Sequence, residues 1–178
     1  MSSGSHLLHG GILLNLFHVC SDYVDYLRQF DARIYENRHK RPYVGVVCAV
    51  NGFDYYVPLS SPKPKHRAMS NAKDFHKIGN GAYGACNFNY MIPVHKNDLS
   101  RIDFSKEADL SYRALLVKQY AEIVKISNVI ISKANSLYVM VQARDEDLTA
   151  QERVVKARCC DFLLLETLLA GYVNPKKT

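Results

Sequence analysis

The dipeptide Asn51-Gly52, set between residues 43–50 and 53–59, constrains this chain more than any other feature. Both flanks are rich in β-branched and aromatic residues, and Asn-Gly suits the positive φ that a tight two-residue turn requires. An antiparallel hairpin is therefore predicted here. Residues 13–19 and 86–94 carry similar strand patterns. Between them, Ser21 is placed to cap a helix with Tyr23, Tyr26, Leu27 and Phe30 on one face. Residues 33–42 are polar and basic and read as a loop. Residues 61–85 mix Pro, Lys, His, Gly and Asn and read as a second, long loop, a length that is uncommon without function. The run Gly79-Asn80-Gly81-Ala82-Tyr83-Gly84 has the look of a phosphate-binding loop, but a strand follows it and no helix opens there, so it is read as a turn.

From Ser111 the period changes from two to 3.6, with Leu116, Tyr120, Ile123 and Ile130 on one stripe and a break expected near residues 132–135. Asp145-Glu146-Asp147 reads as a solvated loop. Thr149 and Glu152 have the spacing of a capping box, which starts a last helix running to about Leu169 and stopped by Gly171. Strands first and helices later is the order of an α+β fold, and 178 residues suit one domain. Residues 1–12 open with Met-Ser-Ser-Gly-Ser-His, the composition of a disordered or vector-derived leader, which leaves 13–178 as the domain.

Charge is unevenly placed. Ten basic residues and four acids fall between Arg28 and Lys77, which accounts for the whole net charge of +6. Tyr35, Tyr43, Tyr55 and Tyr56 are interleaved with them, a combination suited to single-stranded nucleic acid rather than to a membrane. The apolar run at residues 12–17 is broken by Asn15 and has no basic region ahead of it, so neither a signal peptide nor a membrane span is expected. Five cysteines, with no Cys-x-x-Cys, read as cytosolic thiols.

The chemistry gathers on Pro58-Leu59-Ser60-Ser61-Pro62-Lys63-Pro64-Lys65-His66, where two prolines stiffen a loop of hydroxyls, ammonium groups and an imidazole. Cleavage of RNA by its own 2′-hydroxyl needs that proton removed, charge stabilised on the phosphorane, and a proton for the departing 5′-oxygen. Lys63, Lys65 and Arg41 suit the charge, Ser60 and Ser61 the phosphorane oxygens, and Tyr23 or His66 the protons. The same residues also fit plainer roles: Tyr23 packed at the core edge, His66 solvated, the loop a surface turn. No motif for a metal or a cofactor is present, so none is expected.

Several segments resemble one family. Residues 23–31 (YVDYLRQFD), 43–47 (YVGVV), 56–63 (YVPLSSPK), 87–94 (NFNYMIPV), 112–119 (YRALLVKQ) and 160–166 (CDFLLLE) are similar, in that order, to the ToxN/AbiQ toxins of type III toxin–antitoxin systems. That resemblance implies a compact, strongly curved antiparallel β-sheet core with surrounding helices, MazF/Kid-like. It implies sequence-specific endoribonuclease activity at adenine-rich sites, without metal, leaving a 2′,3′-cyclic phosphate. It also implies inhibition by a small pseudoknot RNA antitoxin in a closed protein–RNA ring, cytoplasmic action on cellular or phage RNA, and a part in phage abortive infection. Carried over by position, the catalytic set is Tyr23, Ser60, Ser61 and Lys63. Arg41 stands where a lysine also occurs, and the tyrosine expected four residues earlier is Asn37, with Tyr35 the nearest ring. Tyr35, Arg41, Lys65 and His66 make up the RNA-binding set. A non-catalytic RNA-binding module using the same basic groove is the alternative, and an interaction protein whose basic loop meets an acidic partner is a third reading.

Overall fold

The computed structural model describes residues 14–37 and 41–174. The expected leader, the first residue of the expected first strand, and two of the ten clustered basic residues, Arg38 and Lys40, lie outside the described residues. Seven strands are β1 (Asn15–Val19), β2 (Pro42–Val50), β3 (Phe53–Ser60), β4 (Phe75–Lys77), β5 (Ala85–Asn87), β6 (Ile92–Pro93) and β7 (Leu99–Arg101). Six helices are α1 (Ser21–Arg28), α2 (Pro64–Ala68), α3 (Leu110–Lys125), α4 (Ser127–Gln142), α5 (Ala150–Arg158) and α6 (Phe162–Gly171). All pairings within the sheet are antiparallel, in the order β4-β5-β3-β2-β1-β7, with β6 also on β3. The α+β class expected from the order of elements is the class observed.

The β2–β3 hairpin turns at Asn51 (φ 53°) and Gly52 (φ 82°), as the dipeptide predicts. A register shift between Gly45 and Cys48 bends β2. On its other edge β3 is shared by two short strands: Tyr55 and Tyr56 pair with Pro93 and Ile92, while Leu59 and Ser60 pair with Cys86 and Ala85. The sheet thus holds β3 from β2 as far as Pro58 and from β5 at Leu59 and Ser60, where the loop leaves.

Several expectations about local structure need correction. Ser21 lies within α1, whose cap position is Cys20 without a side-chain bond; Asp22 in the first turn favours the helix dipole instead. The long loop 61–85 contains α2, β4 and a 3₁₀ turn at Gly79–Gly81, because Pro64 presets φ at a first helical position and Phe75 is apolar enough to pack inward. The strand expected over 86–94 is two strands split by a 3₁₀ turn at Phe88–Tyr90. The helix break lies at Ile126 rather than at 132–135, where the Ser127 hydroxyl donates to the carbonyls of Ile123 and Val124 at 3.0 and 2.9 Å.

The capping box forms as read, with Thr149 and Glu152 bonded reciprocally, but the helix it starts ends at Arg158. The Cys160 amide turns away to the Asn89 carbonyl (2.9 Å), and Asp161 restarts the chain as the cap of α6. Gly171 is the last residue of α6 instead of lying beyond it.

A carboxyl group joins sheet and helices in the core. Glu166 on α6 accepts the hydroxyls of Tyr55 on β3 and Tyr138 on α4, each at 2.8 Å. Phe162 stacks on Tyr138 with an interplanar angle of 6° and meets Tyr55 edge-on. Burial first, then Glu166, pushes the Tyr138 phenol up to about 12 and Tyr55 higher still, so both stay protonated donors. Burial likewise raises Cys48 to about 11 and Cys86 and Cys159 to about 12, which makes them packing groups rather than nucleophiles. No helix among the described residues is long and apolar enough to cross a membrane. Replacing Tyr55 with Phe is expected to lower the unfolding free energy by about 1 to 3 kcal/mol, measured by urea denaturation, because a buried carboxyl oxygen loses a donor.

Candidate active site

The first wall of the site begins where β3 ends. Ser60 is nearly buried, is paired to Ala85, and places its hydroxyl 3.4 Å from the Ala85 carbonyl; Ser61, one residue on, is exposed. Ser60 and Ser61 line a cleft of about 580 Å³ together with Arg41, Leu59, Tyr112 and Gln119. That volume falls within the range of pockets that hold small ligands. Pro62 and Lys63 lie on the lip of a neighbouring depression of about 390 Å³, shared with Arg67, Gly81 and Ala82. The hydroxyls and the ammonium group expected to act together therefore sit on one loop between two adjoining hollows. Lys65 is exposed on α2.

Arg41 enters the cleft on a prepared mount. Its amide donates to Asn37 Oδ1 (2.9 Å), and Asn37 Nδ2 donates to the Val19 carbonyl (2.8 Å). Asn37, the departure from the family pattern, thus serves as a bracket for Arg41. One guanidinium nitrogen donates to the Leu59 carbonyl at 2.9 Å, and the guanidinium lies 4.5 Å over the Tyr35 ring. Tyr35 is braced in turn by Tyr90, with centroids 4.3 Å apart. The tyrosine expected to stack on RNA accordingly has one ring face occupied by Arg41, and orients that arginine.

Of the eight expected site residues, Ser60, Ser61 and Arg41 line the cleft and Tyr23, Tyr35, Lys63, Lys65 and His66 do not; Tyr23 and His66 are buried. Tyr23 is fully buried against Tyr172, and its hydroxyl donates to the Pro93 carbonyl at 2.7 Å. Burial pushes its phenol far above the ordinary range, with Asp98 adding to the effect, so it holds its proton and its bond. His66, expected to be solvated or to meet RNA, is 3 % exposed. The single turn of α2 points it inward, edge-on to Phe75, while Lys65 and Arg67 face out. Burial, then Lys63 and Lys65, lowers its pKa. It packs the loop from beneath.

The other wall comes from α3, whose sequence pattern marks it only as scaffold. Tyr112 and Gln119 are seven residues apart, two turns along one face, and both line the cleft. Burial, then Glu107, raises the Tyr112 phenol, against the pull of Arg41, leaving a hydroxyl that can donate to a phosphate oxygen. Gln119 follows Leu116 by three in the buried stripe; a polar residue at such a position is the signal that was available for it. Glu107 and Asp109 also line the cleft, where Asp109 caps α3 through the amides of Ser111 and Tyr112.

A helix-flanked antiparallel sheet that carries hydroxyls, a loop lysine and an aromatic-mounted arginine at one strand end defines an α+β domain with a polar cleft at that end. The chain belongs to the toxin ToxN family of type III toxin–antitoxin systems, whose family model matches residues 15–170. It is 34 % identical over 164 residues to endoribonuclease ToxN of Bacillus thuringiensis subsp. kurstaki, covering 88 % of this chain and 83 % of that protein. It is 31 % identical over 172 residues to endoribonuclease AbiQ of Lactococcus lactis subsp. lactis, with 89 % of each covered. A solved structure from work on selective toxin inhibition by a non-coding RNA pseudoknot superposes with a TM-score of 0.81 at 30 % identity, over 94 % of this chain and all of that one. A structure of AbiQ, described as a lactococcal anti-phage endoribonuclease, gives 0.71 at 27 % identity, over 89 % and 97 %.

The buried position of Tyr23 carries its own expectation. Tyr23→Phe should reduce stability by about 1 to 3 kcal/mol, since the Pro93 carbonyl loses its donor. RNA cleavage per folded molecule should stay within about threefold of wild type. A thermal melt run beside single-turnover cleavage separates the two effects.

Proposed function

We propose that this protein is an endoribonuclease toxin that cuts single-stranded RNA at adenine-rich sites by attack of the 2′-hydroxyl on the adjacent phosphorus. The observation that carries the reading is the meeting of Ser60, Ser61 and Arg41 in one cleft, with Lys63 on the same loop. In the step, the 2′-oxygen bonds to phosphorus as the bond to the 5′-oxygen breaks; one proton leaves the 2′-hydroxyl and one reaches the 5′-oxygen, giving a 2′,3′-cyclic phosphate. Arg41 and Lys63 stabilise the charge growing on the phosphorane, and the hydroxyls of Ser60, Ser61 and Tyr112 donate to its oxygens. With Tyr23 and His66 buried, electrostatic stabilisation at preorganised donors is the main source of rate. No metal ion enters the step. Lys63→Ala should lower the cleavage rate about 10²- to 10³-fold with an unchanged melt. Wild-type cleavage should persist in EDTA with cyclic phosphate ends by mass spectrometry. A 5′-phosphate product, activity lost on chelation, or Lys63→Ala cutting at the wild-type rate refutes this mechanism.

The same reading makes a small pseudoknot RNA the antitoxin, bound across this cleft in a closed protein–RNA ring, with the toxin acting in the cytoplasm on cellular or phage transcripts. Arg41, Lys63 and the exposed Lys65 form its phosphate-facing side. Neutralising Arg41 or Lys65 in cleavage-dead protein should reduce the salt slope of RNA affinity by roughly 0.7 to 1 for each phosphate left without its cation. In competition with an adenine-rich oligonucleotide, antitoxin and substrate should exclude each other. Simultaneous binding of both would place inhibition at another surface.

A further inference from the structure

Among the described residues the Gln119 side chain makes one hydrogen bond, and that bond leads to the proposed active loop. Its Nε2 donates to the Tyr83 carbonyl at 2.7 Å. A carbonyl can only accept, so the orientation of the amide is fixed by chemistry. Tyr83 belongs to a closed turn, in which its own amide donates to Ile78 O and the Ile78 amide donates to Gly84 O at 3.0 Å. Gly84 lies directly against the strand end that carries Ser60: a Cβ there would stand 2.0 Å from the Ser60 carbonyl oxygen, and φ is +98°. Ala85, the next residue, pairs with Ser60 and lies within hydrogen-bond distance of its hydroxyl. The path from α3 to the serine hydroxyl therefore runs through Gln119 Nε2, the Tyr83 carbonyl and Gly84.

Packing does not account for the amide. Gln119 is 3 % exposed in a stripe otherwise built from Leu116 and Ile123, and its Oε1 meets no donor among the described residues. A buried carbonyl without a donor costs free energy, so an apolar side chain would serve the core better. What an apolar side chain cannot provide is a directed donor to Tyr83.

We propose that Gln119 is a positioning residue that fixes the Ser60–Lys63 loop through the Tyr83 carbonyl. The proposal rests on the nuclease reading above and extends it to a residue outside the loop. Catalysis by preorganised donors is sensitive to small displacements, and a misplacement of about 1 Å can cost 10²-fold in rate. Removing the bond is thus expected to lower kcat and leave KM nearly unchanged, because Arg41, Lys63 and Lys65 still meet the phosphates.

The test is Gln119→Glu, which keeps the shape. Its carboxylate cannot donate to Tyr83, but its neutral acid can. Burial raises the pKa of such a group; Glu36, Glu107 and Asp109 on the cleft act in the same direction, and Arg41 acts against them. At pH 7.5 kcat per folded molecule should fall about 10²-fold with KM within about threefold of wild type. The ratio of variant to wild-type kcat should rise at least about tenfold on going to acid pH, as the donor returns. Gln119→Met should lose kcat with no recovery, and covers the case in which the glutamate variant does not fold. Thermal melts at each pH supply the folded fraction. A Gln119→Met rate within threefold of an active wild type overturns the proposal alone, as does a glutamate variant that is impaired at pH 7.5 and whose ratio stays flat with pH. A wild type that does not cut RNA overturns the nuclease reading and this proposal with it.

Discussion

Strand β3 is hydrogen-bonded along both edges, and the position of the active loop depends on that. Its pairing with β2 is fixed by the Asn51-Gly52 turn, and its pairing with β5 ends at Ser60. A strand free on one edge could slip or fray, and a one-residue slip would move every side chain to the opposite face. Here the register is also held from the helical side, since Tyr55, in mid-strand, donates to Glu166. The loop that follows thus starts from a point that sheet and helices specify together. Pro62 and Pro64 then limit the paths it can take to α2.

The site is built by withdrawing some polar groups from solvent so that others are held still. Tyr35 gives one ring face to Arg41, Asn37 commits both ends of its amide to backbone, and His66 lies beneath α2. Each is of a residue type that binds nucleic acid elsewhere, and here each acts as support. The charge they position is local. Glu36, Glu107 and Asp109 share the cleft with Arg41, so its field is mixed, and binding of a phosphate chain relies on where cations sit more than on their number.

Much of this could be read in the sequence, and the limits are physical. The hairpin was legible because Asn-Gly has few other uses, and the capping box because two side chains must reciprocate at a fixed spacing. The loop serines, Lys63 and Arg41 were legible as a cluster because proline and charge mark surface loops. The burial of Tyr23 and His66 was not, because a phenol or an imidazole suits a core and a site equally well; only the Pro93 carbonyl and the Phe75 ring decide between them. Helix ends at Ile126 and Cys159 were missed because the competing partners, the Ser127 hydroxyl and the Asn89 carbonyl, depend on tertiary contacts or on a local rotamer.

The wall from α3 shows why a family motif underdetermines its site. Residues 58–66 hold the groups proposed to react, yet nothing within that segment sets the position of Ser60. That is set by Gly84 beneath it, where no side chain larger than hydrogen fits, and by Gln119 holding the adjoining carbonyl. Gly84, Gln119 and Ser60 lie on a turn, a helix and a strand that are far apart in sequence and converge only on folding. A loop supported in this way loses little entropy when RNA binds, which is how a small domain with a mixed-charge cleft can hold a flexible strand in a reactive geometry.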